Sequence, residues 1–262
     1  MMRVDLHNHT HLCNHASGSM EEYVKRAIDL NIDVYGFSEH APVKNFEDGY
    51  RLALDKKSLY EASVLSLKEK YKNDIKILLA YEVDFIAGDF ILDEIKNANV
   101  DYLIGSVHYL KDWEFDNPAF IKEYENRDVD QIWKEYFQAV EGMAKAGYFN
   151  IAGHFDLIKD FKFLPREDIR TIAMPALRAI KKANMALEIN TAGFRKPVKE
   201  LYPSRPLLEV ALDLGIDITF SSDAHSVAQV GYKHDEALCY AKEVGFKEAV
   251  YFESREKMTF KL

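Results

Sequence analysis

The sequence predicts an α/β fold, one domain over residues 1–262 in which parallel strands alternate with helices and close, or nearly close, into a barrel. Three observations predict it. Short β-rich segments alternate with amphipathic helical ones along the chain, the pattern of parallel strands with helices packed outside. Seven or eight such units fit 262 residues, and α/β barrels often run to roughly 250 residues as one unit. The metal-capable side chains fall almost without exception at, or just after, the C-terminal ends of the strands, the face on which such barrels build their sites.

Residues 3–7 (RVDLH) read as the first strand and 33–40 (DVYGFSEH) as the second. The helix between them, 19–31, starts at a capping box of Ser19 and Glu22. Its apolar residues Tyr23, Val24, Ala27 and Ile28 recur at helical spacing. Helix 55–73 leads to a third strand, 75–85 (IKILLAYEVDF), then a short helix, 90–97, and a fourth strand, 101–109. Residues 110–128 read as a long loop holding Trp113, Phe115 and Phe120. The clearest helix is 130–147, with Asp130 as its cap and Ile132, Trp133, Tyr136, Phe137 and Val140 on its buried face. Strands 149–156, 185–190 and 216–225 follow, separated by helices 167–183 and 204–214. Pro175 is expected to kink or split the first of these. A helix over 232–244 and a short strand, 249–252, end the chain.

Composition narrows the function. A net charge of −9 argues against a non-specific nucleic-acid binder, which needs a basic face. No apolar run approaches the roughly 18 residues of a membrane span, and MMRVDLHNHT lacks the apolar core of a secretory signal. Cys13 and Cys239 are the two cysteines; two make no disulfide framework, so a reducing, cytoplasmic setting is expected. Cys13 stands among histidines, but a small buried thiol is the simpler reading than a zinc ligand.

The stretch VDLHNHTHLCNH (4–15) holds four of the nine histidines. His7 and His9 follow the first strand, with His15 in the loop beyond. His40 ends the second strand, Glu82 lies near the end of the third, His108 ends the fourth, and His154 ends the fifth. Asp223 and His225 follow the seventh. Imidazoles and carboxylates gathered in one pocket are what borderline divalent metals bind, zinc, iron and manganese alike. Isolated core or surface histidines would not share one topological position. Residues i and i+2 of an extended segment point the same way. His7 and His9 therefore share a side, as do Asp223 and His225. Asp5 shares the side of His7 and is expected to orient a ligating imidazole. Of the two carboxylates in YEVD, Glu82 is preferred as the ligand nearest the strand end, with Asp84 toward the pocket mouth. His11 and His234 fall outside the pattern and read as surface or supporting residues.

DLHNHTHLCNH, FSEH, YEVD, SVHY, GHFD and SDAH resemble, in the same order, the motifs of the polymerase-and-histidinol-phosphatase (PHP) superfamily. EINTAGFRKP and YPSRPLLEVALDLGIDITFSSDAH are similar to its monofunctional histidinol-phosphatase branch. The resemblance implies a distorted (β/α)7 TIM-like barrel, three divalent metal ions (Zn, Fe or Mn) and hydrolysis of L-histidinol phosphate in histidine biosynthesis. It assigns His7, His9, Glu82 and Asp223 to the first metal. Glu82 would bridge to a second, held also by His108 and His154, and His15, His40 and His225 would hold the third.

For such a centre the expected nucleophile is a metal-bridging hydroxide held by Glu82 and Asp223, attacking phosphorus in line. Arg195 is the expected phosphate contact, since a guanidinium can grip phosphate through two hydrogen bonds and Gly193 allows a tight turn before it. Lys159 is a second expected contact. Trp113 and Phe115 either shape the imidazole end of the site or simply pack. The expected partner is a small phosphate ester, with no nucleic acid and no membrane; the sequence leaves the oligomeric state open. An alternative is a PHP-type phosphodiesterase or exonuclease acting on nucleotides, which the acidic net charge disfavours. A purely structural metal module fits least, because closed structural zinc sites are built mainly from cysteine.

Overall fold

The computed structural model describes residues 2–44, 46, 48–86, 88 and 90–262. Seven parallel strands form one sheet. They are β1 (Val4–Asp5), β2 (Val34–His40), β3 (Lys76–Asp84), β4 (Tyr102–Ser106), β7 (Ile151–Ala152), β8 (Ala186–Asn190) and β9 (Ile218–Ser221). The short β5 (Tyr109–Leu110) and β6 (Trp113–Glu114) pair only with each other. Spatial order in the sheet follows chain order, β1-β2-β3-β4-β7-β8-β9. The last strand returns to the first: Leu6 N–H donates to Phe220 O at 3.1 Å, and Asn8 bridges Ala224 in parallel sense. This is the expected barrel, closed by a seam of few bonds.

The helices lie where the apolar periodicity puts them. They are α1 (Met20–Asp29), α2 (Lys57–Lys70), α3 (Asp93–Lys96), α4 (Val129–Lys145), α5 (Ile169–Lys182), α6 (Arg205–Asp213) and α7 (His234–Val244). Both halves of the Ser19–Glu22 capping box are present. The cap of α4 is Asp128, which accepts from Gln131 N–H; Asp130 lies one step inside the helix and instead binds Arg166. Helix α5 runs through Pro175 without splitting, because Pro175 is on the exposed face, where water can satisfy the freed carbonyl.

Two sequence expectations change. Segment 110–128 is not bare loop: β6 and a 3-10 turn over Pro118–Tyr124 lie within it. The final strand is one arm of a hairpin, β10 (Glu248–Glu253) with β11 (Glu256–Lys261), and not another barrel unit. The hairpin packs under the barrel. Ser254 N–H donates to Asp101 Oδ1 (3.0 Å), and Lys257 Nζ to Asp217 Oδ2 (2.7 Å), both beside strand starts. With the bottom stoppered, the opposite end is free for a site.

Glycine matters at one barrel position. A Cβ on Gly36 would stand 1.7 Å from Tyr102 Oη. That hydroxyl crosses the barrel interior to donate to Leu6 O at 2.5 Å.

Candidate metal centre

Strand ends deliver the site. The parallel register pairs His40 with Glu82 across β2 and β3, so His40 Nδ1 lies 2.9 Å from Glu82 Oε2. The same oxygen is 3.2 Å from His7 Nε2 and 3.5 Å from His9 Nε2. The other Glu82 oxygen is 3.0 Å from His154 Nε2 and 3.8 Å from His108 Nε2. Asp223 Oδ1 stands 3.4 Å from His9 Nε2 and 4.0 Å from His7 Nε2. Beyond it, the His15 ring lies 4.6 Å from that of His225 and 5.2 Å from that of His40.

Three sets of ligand atoms lie close enough to share a cation, each within 4.8 Å: His7, His9 and Glu82; Glu82, His108 and His154; and His9, His40 and His225. These sets take in His7, His9, His40, Glu82, His108, His154 and His225; Asp223 and His15 stand beside them but belong to none, and His9 occupies the place expected of His15 in the third. A fourth such set contains Cys13 with His9 and Glu39. However, the Cys13 thiol donates to Thr10 O at 3.1 Å, and burial pushes its pKa up, so it is held protonated.

Carboxylates and carbonyls fix the imidazoles from behind. Because these groups only accept, each facing ring nitrogen must be the donor. His7 Nδ1–H donates to Glu188 Oε1 (2.7 Å), and His108 Nδ1–H to Asp84 Oδ1 (2.5 Å). His9 Nδ1 faces Glu39 at 3.4 Å. His15 and His225 use Nδ1 on the carbonyls of Cys13 (3.0 Å) and Asp223 (3.1 Å). On His7, His9, His15, His108 and His225 this leaves Nε2 as the nitrogen not engaged from behind. Among the described residues, His7 Nε2, His9 Nε2 and Glu82 Oε2 are buried with no hydrogen-bond partner. Buried unpartnered acceptors are costly unless a cation meets them, so the residues present fit a metal centre.

The charges agree. Burial alone would raise the Glu82 carboxyl, but His7 and His40 overcome it and hold it well below the usual carboxylate range. Burial opposes Asp223 ionisation too, and His7 and His9 reverse it. Burial would lower His108, yet Asp84 raises it to about 10; His9 reaches about 9 through Asp223 and Glu39. Burial and the neighbouring His9 push His40 down to about 4. Asp223 also sits at φ 52°, a left-handed conformation rare for a residue with a side chain, which aims its carboxylate inward.

A cavity of about 500 Å³ opens over the cluster, its walls including Arg51, Asp84, Asp116, Arg195, Lys196 and Tyr202. Arg195 Nη2 donates to the carbonyls of Ser222 and Asp223, each at 2.8 Å, while its buried Nη1 has no partner among the described residues. Gly193 serves close approach and not a special turn: a Cβ there would meet Glu200 O at 2.0 Å.

Several expected roles shift. Lys159 does not line the cavity; its ammonium is held by Asp156 (3.1 Å) and Leu201 O (2.7 Å), and Lys196 supplies the wall's second nearby cation. Asp5 does not touch an imidazole. Its carboxylate accepts from Ser222 N–H (2.8 Å) and Gly231 N–H (2.9 Å), securing the chain just before Asp223. Strand β3 runs through Asp84, so Glu82 lies two residues inside the end and Asp84 serves His108 and Arg51. Trp113 and Phe115 pack against Tyr124 and Tyr136 and are not cavity walls. His11 is exposed, whereas His234 is buried against Phe220. Sequence reasoning missed Glu39, Glu188 and Arg51. Spacing of i, i+2 from Asn190 could have found Glu188, and adjacency to His40 could have found Glu39; Arg51 lies outside regular structure and gave no signal.

The PHP domain family profile matches residues 5–192. A Deinococcus radiodurans protein bearing the name probable histidinol-phosphatase is 36% identical over 250 residues, covering 94% of this chain and 95% of that protein. The Bacillus subtilis histidinol-phosphatase is 30% identical over 268 residues, covering 91% of this chain and 99% of its own. A crystal structure of histidinol phosphate phosphatase from Lactococcus lactis, complexed with zinc, L-histidinol and phosphate, superposes with a TM-score of 0.78 at 24% identity, covering 98% of both chains.

Proposed function

The chain belongs to the PHP domain family, and from that premise we infer that it is a metal-dependent histidinol-phosphatase. It hydrolyses L-histidinol phosphate to L-histidinol and phosphate, the reaction that its Bacillus and Lactococcus relatives are named for. One observation carries the metal dependence: buried, unpartnered His7 Nε2 and His9 Nε2 converge with an unpartnered Glu82 oxygen beneath a cavity.

We assign three cation positions. His7, His9, Glu82 and Asp223 hold the first, Glu82, His108 and His154 the second, and His15, His40 and His225 the third. Zinc, iron and manganese all suit these donors. When bound, divalent ions supply charge neutralisation on the phosphoryl oxygens and lower the pKa of a coordinated water from about 15.7 toward 7.

The chain's own groups do the rest. Arg195 Nη1 is free to donate to a phosphoryl oxygen, while Nη2 keeps the guanidinium fixed on two carbonyls. Lys196 adds a second positive charge at the same wall. The ammonium of the substrate needs a carboxylate. Asp116 lines the cavity with a buried Oδ1 that has no hydrogen-bond partner among the described residues. Asp48 and Asp84, by contrast, are already paired with Arg51. No helix among the described residues is long and apolar enough to cross a membrane, and two unpaired cysteines suit a reducing cytoplasm.

The test is kcat/KM on a panel of histidinol phosphate, other phosphomonoesters and a phosphodiester, with protein reconstituted in each metal. Histidinol phosphate should lead by at least tenfold. A flat panel, or activity independent of metal, overturns the reading.

A further inference from the structure

Glu188 is fully buried and carries four donors on its two oxygens. Oε1 accepts from His7 Nδ1 (2.7 Å) and Ser221 Oγ (2.6 Å). Oε2 accepts from the backbone N–H of His154 (2.6 Å) and from Asn190 Nδ2 (3.0 Å). That fills both lone pairs of each oxygen. Asn190 Nδ2 also reaches Asp223 Oδ2 at 3.2 Å. The layout follows from the strands: Glu188 and Asn190 are i and i+2 on β8 and point the same way, and Asn190 is the register partner of Ser221 on β9.

We propose that Glu188 is the positioning residue of the metal centre, a single carboxylate that sets ligands of the first and second cation positions together and leaves the third alone. The inference rests on the metal assignment made above. Its bond to His7 fixes the tautomer with Nδ1 protonated, so that Nε2 is the free lone pair. Its bond to the His154 N–H fixes a backbone held at positive φ, 20°, which determines where that imidazole enters the site. Through Asn190 it also steadies the carboxylate of Asp223. His15 and His40 take their hydrogen bonds and ring contacts elsewhere, and His225 donates to the backbone carbonyl of Asp223 (3.1 Å), whereas Asn190 reaches its carboxylate Oδ2.

Hydrogen bonding explains why the residue is an acid. A carboxylate accepts on both of its oxygens, and all four of the donors aimed at Glu188 need an acceptor. A glutamine of the same shape cannot accept on both sides. Its amide NH2 must confront either the His7 Nδ1–H or the His154 N–H, so one of the two bonds is lost whichever way it turns, and the other loses its charge assistance.

The experiment compares the wild-type chain with Glu188→Gln and Glu188→Asp. Binding isotherms with Zn(II), and elemental analysis after dialysis against a fixed chelator concentration, count the ions retained. Wild type should hold close to three. Glu188→Gln should weaken two positions by about 10- to 100-fold, the usual cost of an outer partner, with the third unchanged. Glu188→Asp should fall between. A second measurement needs no variant: in zinc-loaded wild type labelled with ¹⁵N-histidine, the His7 resonances should show protonated Nδ1 bonded to a carboxylate and metal-bound Nε2. If wild type binds no ions, the metal assignment itself fails. If wild type binds three and Glu188→Gln keeps all three, or loses all three equally while still folded, or if His7 carries no Nδ1 proton, the role given to Glu188 is wrong. Should neither variant fold, the histidine spectrum decides alone.

Discussion

His40 and Glu82 are register partners on neighbouring parallel strands, and their side chains meet at 2.9 Å. The pairing puts the Glu82 carboxylate inside the histidine cluster, next to one of the rings that line the cavity. It also places Glu82 within 3.8 Å of ring nitrogens of four further histidines, His7, His9, His108 and His154, from three other segments.

Glu82→Ala should therefore lose more than one ion per chain. The first and second positions share this residue, and removing it leaves each with imidazoles around an uncompensated charge. Activity with saturating metal should drop by more than about 100-fold, beyond the usual cost of an outer partner. Elemental analysis after reconstitution checks it; loss of a single ion would show that Glu82 does not bridge.

Arg195→Ala tests the phosphate grip. Losing a charge-assisted contact costs about 1.5–3 kcal/mol, so kcat/KM should fall roughly 10- to 150-fold. Metal content should hold. Asp5 still secures the backbone at Ser222, and Asn190 still holds the Asp223 carboxylate. Near-wild-type kinetics would place Arg195 away from the phosphate.

Asp116→Asn tests the substrate's ammonium. The neutral amide keeps size and loses charge, so KM for histidinol phosphate should rise about 10-fold or more. The value for an amine-free phosphomonoester should stay put. Equal changes on both substrates would mean that Asp116 acts on the fold or the metals.

Much of this site was legible because strand ends are legible. His7, His40, His108, His154 and Asp223 each stand beside an apolar β-branched run, and parallel topology makes such ends converge. Supporting groups were harder. Asp5 reads like an imidazole orienter by alternation, yet besides the nearby Asn8 amide it meets Ser222 and the Gly231 N–H, 217 and 226 residues away. Such pairings depend on how the barrel closes, which no local pattern encodes. The β10–β11 hairpin was read as a lone strand because β11 is mostly exposed and short of apolar residues. Arg51 has Asp48 three residues before it but finds Asp84 only in three dimensions.

His234 sets an acid-side stability slope. Burial and the neighbouring Arg3 push its pKa to about 4, and neither ring nitrogen has a hydrogen-bond partner among the described residues. In the unfolded chain it titrates near 6.5. The folded value is the lower one, so the unfolded state binds the proton first. Stability from the neutral ring is complete above pH 6.5 and is lost as pH falls toward 4, by about 3 kcal/mol at the limit. Denaturant titrations of metal-free wild type and His234→Leu at pH 7 and pH 4.5 should show a shallower decline in the variant. Parallel declines would mean that His234 can be protonated without strain.

The last prediction separates monoester from diester chemistry. A terminal phosphate offers three non-bridging oxygens, enough to meet both the cation cluster and Arg195 Nη1. A diester offers two, and its second substituent needs an exit. The cavity, about 500 Å³, must already hold an imidazole and an ammonium beside Asp116. Asn117, Pro118 and Tyr202 are among its walls, and a second substituent would have to share that volume. With equal metal loading, kcat/KM for histidinol phosphate should exceed that for bis-(p-nitrophenyl) phosphate or a short oligonucleotide by more than about 100-fold, the worth of one lost charge-assisted contact plus one steric misfit. Comparable diester cleavage would sink the phosphatase reading while leaving the metal cluster intact, because the cluster's geometry does not depend on which ester it meets.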